Sequence, residues 1–429
     1  MHHLGADPLG AIGTWRSALI VQPREPTMDP SDCPKRKVRI AHLISHPVQY
    51  LVPVYRELSK DPRIDLMVYF FSDTTLGMHF DSEFGREFEW STPLLGGYRY
   101  RFLPSSKGKA TGRTFEWPNW DVLSEVARQR YDVIWINSYI GANAWLARMR
   151  AFVAGTPVFF RDDTNLLSPR PLWKKFLKGL FLRNFLRSAW AFYVGEESRR
   201  YWRFYGIRPE RLIFAPHCVD NDYWSSKALE LRPRRTELRR KFGIDDDSPV
   251  ILFCGKFIPK KQPLLLLSAF ASLRKELPCW LLMVGDGQLR SLVQQNIRES
   301  RIPNAILPGF LNQDALPSAY TAADIFVLPS AYYETWGLVV NEAMNFGLPV
   351  VVSDQVGCGR NLVNEGWNGF SFDHDDESGL TDCLTRLVKD AALRKEFGKN
   401  GADLVAKYSV KACAEGIARA ACTASGSTA

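Results

Sequence analysis

The stretch VILFCGKFIPKKQPLLLLSAF, residues 250–270, decides the fold of the second half of the chain. It opens with a short apolar run, VILFC, which is typical of a strand buried on both faces of a sheet. A loop with glycine and lysines follows, and the pattern then becomes that of an apolar helix. The strand WLLMVG, the helix SLVQQNIRES and the strands DIFVLP and PVVVSD continue the alternation. Alternating strands and helices predict a parallel sheet with right-handed crossovers.

The first half of the chain shows the same alternation. Short apolar runs predict strands at residues 38–45, 64–73, 132–138 and 157–163, with helical patterns between them. We therefore predict an α/β protein of two Rossmann-like domains that face each other across a cleft, where ligands bind beyond the carboxyl ends of the strands. The predicted organisation is a flexible tail at 1–35, a first domain at 36–225, a charged and helical linker at 226–248, a second domain at 249–406, and a C-terminal helix and tail at 407–429.

The composition narrows the range of partners. The 429 residues include 55 lysines and arginines against 46 acids, a net charge of +9. This excess suits a phosphorylated small molecule, an acidic lipid surface or a nucleic acid. Nucleic acid is the least favoured of the three, because Trp135, Phe159 and Phe160 lie within predicted strands and not on a basic platform. No apolar run approaches the roughly 18 residues of a membrane span, so we expect any membrane contact to be peripheral.

The segment PSAYYETWGLVVNEAMNFGLPVVVSD, residues 329–354, places two glutamates around a predicted helix start. Glu334 lies in the loop after a strand, Gly337 begins the helix, and Glu342 lies on the helix. The free N–H groups at a helix start bind phosphate, and carboxylates accept hydrogen bonds from hydroxyls. This combination fits a nucleotide sugar. The alternative is an ordinary loop glutamate and a solvated helix glutamate.

A second cluster lies at the end of the strand at 250–254. Gly255, Lys256, Lys260 and Lys261 come between this strand and the apolar helix. Lysines at a strand end neutralise phosphate as point cations. The alternative is that they only solvate a loop. Gly285 lies at the end of the next strand and is a weaker signal.

With these motifs, residues 250–372 resemble the retaining family 4 glycosyltransferases of the GT-B fold, and the resemblance extends from about residue 37 to 406. The hallmark of that family is a pair of glutamates separated by seven residues, as Glu334 and Glu342 are. The resemblance implies that Glu334 contacts the hydroxyls of the donor hexose and Glu342 those of the ribose. It also implies that the backbone of Gly337, Leu338 and Val339 meets the donor phosphates.

The resemblance further implies that Lys261 and Lys256 neutralise the diphosphate. Lys256 stands where the family usually has arginine, and Gln262 where it usually has glycine. Lysine keeps the charge of arginine but loses its two-pronged hydrogen bonding. The predicted donor site is completed by three further residues, Gly255, Gly285 and Thr335.

The first domain departs from the family pattern after two strands. SHPVQY places His46 where relatives have a glycine-rich loop, and Asn137 and Tyr139 occupy the place of a histidine that helps to position the donor sugar. We therefore predict His46 as the catalytic substitute, with a purely structural histidine as the alternative. The acceptor-side candidates are Asn137, Tyr139, Arg161 and Asp162; for the last two, an internal arginine–aspartate pair is the alternative.

The stretch PLWKKFLKGLFLRNFLRSAW, residues 171–190, is basic and aromatic. At about 100° per residue, Lys174, Lys175 and Lys178 share one arc of a helix, opposite Leu172 and Phe176. This pattern predicts contact with an anionic membrane surface through residues 171–180. The alternative is a helix packed within the protein, with a solvated lysine face.

The resemblance implies an enzyme that transfers a hexose, with retention at the anomeric carbon, from a nucleotide diphosphate sugar to a hydroxyl acceptor. We expect the acceptor to be a glycan or a lipid-linked glycan in surface polysaccharide assembly. No cofactor and no metal are expected, and the predicted location is cytoplasmic, peripheral on the inner face of the plasma membrane. The alternatives are a nucleotide-sugar epimerase or phosphorylase of the same fold, and a non-catalytic sugar-nucleotide-binding subunit.

Overall fold

The computed structural model describes residues 36–81, 83–103, 119–128, 130–169 and 171–426. The predicted tail at residues 1–35 lies outside the described residues. The strands of the first domain are β1 (Val38–Ile44), β2 (Ile64–Phe70), β3 (His79–Asp81), β4 (Arg86–Phe88), β5 (Tyr100–Phe102), β6 (Val133–Asn137), β7 (Val158–Arg161), β8 (Trp190–Tyr193) and β9 (Leu212–Phe214).

Within these described residues, seven of the strands form one parallel sheet in the order β5-β2-β1-β6-β7-β8-β9. Buried clusters cover both of its faces, which explains why the central strands are almost continuously apolar. Strands β3 and β4 form a separate antiparallel hairpin. The helices are α1 (Val52–Lys60), α2 (Asp121–Arg128), α3 (Ala142–Ala154), α4 (Leu172–Phe185) and α5 (Glu196–Phe204).

The second domain has a parallel sheet of the same type. Its strands are β10 (Val250–Cys254), β11 (Trp280–Val284), β12 (Ala305–Gly309), β13 (Ile325–Leu328), β14 (Val350–Ser353) and β15 (Gly369–Phe372). In the described part of the chain their order is β12-β11-β10-β13-β14-β15. The strand order reverses between β10 and β13, and between β1 and β6 in the first domain. Loops that follow these four strands therefore line the crevice where such folds bind ligands.

The residues predicted as a linker are structured. Helices α6 (Asn221–Leu231) and α7 (Arg235–Lys241) cover residues 221–241. Trp224 of α6 is buried in a core cluster of the second domain. Arg235 and Arg239 of α7 pair with Asp324 at 2.9 and 3.2 Å. This stretch is therefore a helical layer fixed to the second domain, and its charges are partly used in that attachment.

The remaining helices are α8 (Pro263–Arg274), α9 (Arg290–Glu299), α10 (Leu316–Ala322), α11 (Leu338–Asn345), α12 (Gly359–Leu362), α13 (Glu377–Lys389), α14 (Ala391–Val405) and α15 (Val410–Gly426). Helix α15 returns to the first domain, where Ile417 and Ala421 lie in the same buried cluster as Val38 and Trp135. Gly416 allows this close packing, since a Cβ there would lie 2.1 Å from the Phe214 carbonyl oxygen.

Helix α4 exposes most of its apolar side chains, including Leu172, Trp173 and Phe176, whereas Leu182 near its end is buried. Lys178 points the other way: its ammonium lies 5.1–5.2 Å from the ring centres of Tyr139, Tyr201 and Tyr205. The predicted arc of three lysines is therefore reduced to Lys174 and Lys175. Along the described ranges, each helix is too short or too polar to cross a membrane.

Candidate functional site

Glu334 and Lys261 meet at the carboxyl ends of β13 and β10. Lys261 ends a short 3-10 turn, and its ammonium forms an ion pair with the Glu334 carboxylate. Ser330 also donates a hydrogen bond to this carboxylate, at 2.9 Å. Gln262, which follows, has φ 48° and ψ 48°, a left-handed conformation that favours glycine. The fold thus brings together Glu334 and Lys261, two residues of the predicted donor site, and both side chains remain partly accessible to solvent.

Gly337 turns the chain from this loop into α11. Its φ is 96°, and a Cβ would lie 2.8 Å from a methyl carbon of Leu328. Only glycine fits such a backbone and such a contact. Leu338 and Val339 then form the first turn of α11, whose N–H groups have no helical partners of their own. A positively polarised helix start therefore lies directly after Glu334 and Thr335 in the chain.

Glu342 is more deeply placed than the sequence indicates. It is 9% exposed, and its Oε2 accepts a hydrogen bond from the Tyr320 hydroxyl at 2.7 Å. Burial raises the pKa of Glu342 from 4.5 to about 7. The alternative of a solvated helix glutamate is therefore wrong. Its contact with ribose stays a prediction. The carboxyl group already has a protein partner, the Tyr320 hydroxyl.

Lys256 has partners in the first domain. Its ammonium lies 2.9 Å from Asp81 Oδ2 and 2.7 Å from Glu83 Oε2. The prediction joined Lys256 with Lys261 as phosphate ligands; in this structure only Lys261 pairs with Glu334. A sequence pattern does not reveal this difference, because Asp81 and Glu83 lie far away along the chain.

Gly255 and Gly285 bring the ends of β10 and β11 together. A Cβ on Gly285 would lie 1.8 Å from the carbonyl oxygen of Gly255, and the φ of Gly285 is 144°. Glycine at position 285 thus has a local structural reason. The two glycines form a bare backbone surface at the strand ends, beside Lys256.

The first domain contacts the glutamate loop through residues that follow β7. Thr335 donates a hydrogen bond to Asp163 Oδ2 at 2.8 Å, and Asn165 donates to the carbonyl oxygen of Glu334 at 3.4 Å. Asp162 lies beside Asp163. Its burial, together with the negative charge of Asp163, raises the pKa of Asp162 to about 7. The segment after β7 therefore holds the loop that carries Glu334.

Two acceptor-side candidates are buried in the first domain. Tyr139 is 7% exposed, and its hydroxyl is hydrogen-bonded to that of Tyr201. Arg161 is 3% exposed and donates to the carbonyl oxygen of Pro216 at 3.4 Å. Both side chains are therefore buried against protein partners in this structure, and their acceptor-side role stays a prediction. Asn137 is half-buried, and its Oδ1 is buried without a hydrogen-bond partner.

His46 is half-buried, and Ser45 Oγ lies 3.0 Å from its Nδ1. Burial, with a contribution from His79, lowers the pKa of His46, so it is neutral near pH 7. Its catalytic role stays a prediction.

His217 was not predicted, although it is better connected to the site than His46. Its Nε2 lies 3.8 Å from Asp163 Oδ2, and its ring packs against Tyr50 and Trp336. Burial and the nearby Arg161 lower the pKa of His217 to about 3. The sequence holds a signal for it: PHCVD, residues 216–220, resembles the segment PNGVD of the family named above, so His217 occupies the place of an asparagine.

Metal ligands do not accompany these groups. Among the residues that the structure describes, no group of three or more His, Cys, Asp or Glu side chains could hold a metal ion. That the donor site works without a metal stays a prediction. Positive charge beside Glu334 comes from the Lys261 ammonium and from the N–H groups at the start of α11.

Solved structures of glycosyltransferases share this two-domain fold. HepE of Anabaena, in complex with UDP and glucose, has a TM-score of 0.63 and 18% identity, over 89% of this chain and 98% of that one. Sucrose-phosphate synthase of Thermosynechococcus elongatus has a TM-score of 0.64 and 19% identity, over 89% of this chain and 97% of that one. The protein has the GT-B fold, which confirms the predicted fold class.

The sequence comparisons concern mainly part of the chain. Residues 234–404 match the family model described as "Glycosyl transferases group 1". The chain is 30% identical to alpha-D-kanosaminyltransferase of Streptomyces kanamyceticus over 195 residues, 45% of this chain and 50% of that one. It is 31% identical to D-inositol 3-phosphate glycosyltransferase of Xylanimonas cellulosilytica over 205 residues, which are 46% of this chain and 48% of that one. The chain thus matches about half the length of these curated relatives.

Proposed function

We propose that this protein is a retaining glycosyltransferase. It moves a hexose from a nucleotide diphosphate sugar to a hydroxyl group of a glycan or lipid-linked glycan in surface polysaccharide assembly. The observation that carries the proposal is the Glu334–Lys261 ion pair beside the start of α11. A carboxylate for sugar hydroxyls and two sources of positive charge for a diphosphate lie next to each other at the ligand-binding edge of the sheet.

The proposed reaction uses these groups electrostatically. The acceptor oxygen bonds to the anomeric carbon while the bond from that carbon to the donor phosphate breaks. The acceptor proton passes to the departing phosphate oxygen on the same face, which preserves the configuration. Lys261 and the N–H groups of Leu338 and Val339 stabilise the charge that develops on the diphosphate. Glu334 is already ion-paired and hydrogen-bonded, which suits an acceptor of sugar hydroxyl bonds better than a nucleophile.

The comparisons suggest where a search for the donor should start. HepE was solved in complex with UDP and glucose, and one curated relative is named as a glycosyltransferase of D-inositol 3-phosphate. UDP-glucose is therefore the first donor to test, followed by GDP- and ADP-sugars. We further propose that no metal takes part, since Lys261 and the helix start supply the positive charge.

We also propose a peripheral position on the inner face of the plasma membrane. Leu172 is 83% exposed and Phe176 is 65% exposed on α4, and Phe152 is 74% exposed on the neighbouring α3. Together with Lys174 and Lys175, these side chains offer aromatic and apolar contacts beside positive charge. Anionic lipid surfaces bind such combinations. A lipid-linked acceptor would be presented at that surface.

Mass spectrometry of reactions with a panel of nucleotide sugars tests the enzymatic proposal. We expect one donor to be converted only when an acceptor is present, and Glu334→Ala to lower turnover by at least about 100-fold through lost sugar positioning. Glu299→Gln, on the distant helix α9, serves as the control. Conversion of the donor without an acceptor would favour an epimerase. Near-normal turnover of Glu334→Ala would remove the role assigned to Glu334.

A further inference from the structure

A segment of the first domain crosses the cleft and rests on the second domain. We call residues 79–81 and 83–92 the strap; it contains the β3–β4 hairpin. Phe84 and Phe88 pack against Phe310, with ring centres 5.0 and 5.1 Å away. The guanidinium of Arg86 lies 4.9 Å from the centre of the same ring. Phe310 directly follows β12, so the strap lies at the carboxyl end of the second sheet.

Polar contacts fix the far end of the strap. Thr92 donates a hydrogen bond to Gln313 Oε1 at 2.6 Å, and Asn312 donates to the carbonyl oxygen of Glu89 at 2.7 Å. The strap also passes close to the loop after β11: a Cβ on Gly287 would lie 3.0 Å from the carbonyl oxygen of Glu83. The strap therefore covers the ends of β11 and β12 as well as that of β10.

The carboxylates of the strap take up the lysines after β10. Asp81 lies 2.9 Å and Glu83 2.7 Å from the Lys256 ammonium, and Glu83 lies 3.7 Å from that of Lys260. Lys256 also lies 4.7 Å from the centre of the Phe84 ring. Two anionic groups from the first domain thus satisfy a lysine that, by its place after a strand, suits a phosphate.

A diphosphate bound to the Lys256 ammonium would bring its negative charges next to those of Asp81 and Glu83. Like charges repel each other at that range, so the diphosphate and the two carboxylates compete for Lys256. We propose that the strap is an autoinhibitory gate: Asp81 and Glu83 occupy Lys256 until the donor diphosphate displaces them and releases the strap from the second domain. This inference rests on the proposed donor site, and it adds a device that regulates access to it.

The test compares the wild-type chain with the double variant Asp81→Asn, Glu83→Gln. Asparagine at position 81 retains the oxygen that accepts the N–H groups of Glu83 and Phe84, at 2.8 and 2.9 Å, so the turn is preserved. Glu87→Gln is the matched control. Glu87 is an exposed carboxylate of the same hairpin and forms no ion pair with the residues that the structure describes. Binding of UDP, GDP and ADP is measured by calorimetry, and hydrogen exchange is followed across the strap.

The gate predicts roughly three- to thirtyfold tighter nucleotide binding by the double variant, because two partly exposed carboxylates no longer compete for the lysines. It also predicts faster exchange of the strap in the double variant, and in the wild type once nucleotide is saturating. Equal or weaker binding by the double variant would overturn the gate, as would strap exchange that bound nucleotide leaves unchanged or slows. If neither protein binds any of the three nucleotides, the proposed donor site fails and the gate with it.

Discussion

Replacing Glu342 by glutamine should change how the stability of the protein depends on pH. The carboxyl is buried against Tyr320, and burial raises its pKa from 4.5 to about 7. Between these two values the folded wild type binds more protons than the unfolded chain, so its free energy of unfolding falls as the pH rises. The full difference between the two pKa values corresponds to about 3 kcal/mol.

Glutamine resembles the protonated carboxyl and does not titrate. The stability of Glu342→Gln relative to the wild type should therefore rise by about 3 kcal/mol from pH 4.5 to 7 and then stay level. If the glutamine amide is poorly hydrogen-bonded, the variant loses stability by the same amount at every pH. Such a loss shifts the whole curve of stability against pH without changing its slope.

Urea unfolding at half-unit steps between pH 5 and 8, followed by tryptophan fluorescence, measures this difference. Glu396→Gln, an exposed acid on α14, is the control and should give a curve parallel to that of the wild type. A parallel curve for Glu342→Gln would refute the reasoning, because Glu342 would then be ionised in the folded protein throughout the range.

Two further predictions concern other parts of the molecule. Asp163→Ala should lower kcat about tenfold with little change in KM, because Thr335 loses its 2.8 Å hydrogen bond and the loop that carries Glu334 loses its support. Thr335→Ser, which keeps the hydroxyl, should remain near wild type in the same steady-state assay, and an unchanged kcat for Asp163→Ala would contradict this support. Trp173→Ala with Phe176→Ala should weaken sedimentation with anionic vesicles at least about tenfold, because both exposed rings are lost. Leu229→Ala, on the distant helix α6, is the control for exposed apolar area, and a wild-type protein that does not sediment with such vesicles would remove the membrane proposal.

The sequence predicts the strand ends and glycine turns well, because their causes are local. The apolar run at 250–254 and Gly337 each require a particular backbone, and the structure has β10 and the start of α11 at these places. The proximity of Lys261 and Glu334 has a similar cause. Both residues lie in loops that follow neighbouring strands of one parallel sheet, and such strands end at the same edge.

Contacts between the domains could not be predicted in this way. The partners of Lys256 lie on a hairpin of short strands with little periodicity, so nothing in the local pattern connects them. The burial of Glu342 depends on Tyr320 from another helix. Arg161 and Asp162 are adjacent in the chain, but the arginine is buried toward Pro216 and Asp162 lies beside Asp163. Which way a side chain faces at a strand end depends on the tertiary structure.

Helix α15 has a consequence for how the chain is made. Its residues complete the core around β1, the first strand of the described residues, although α15 itself is the last element described. A ribosome therefore has to produce nearly the whole polypeptide before the amino-terminal lobe gains its final wall. The buried clusters of the carboxy-terminal lobe end at Tyr408, so this lobe can assemble before α15 is in place. The lobe that is translated first is thus the one that matures last, and its unfinished apolar side is the part a chaperone would meet.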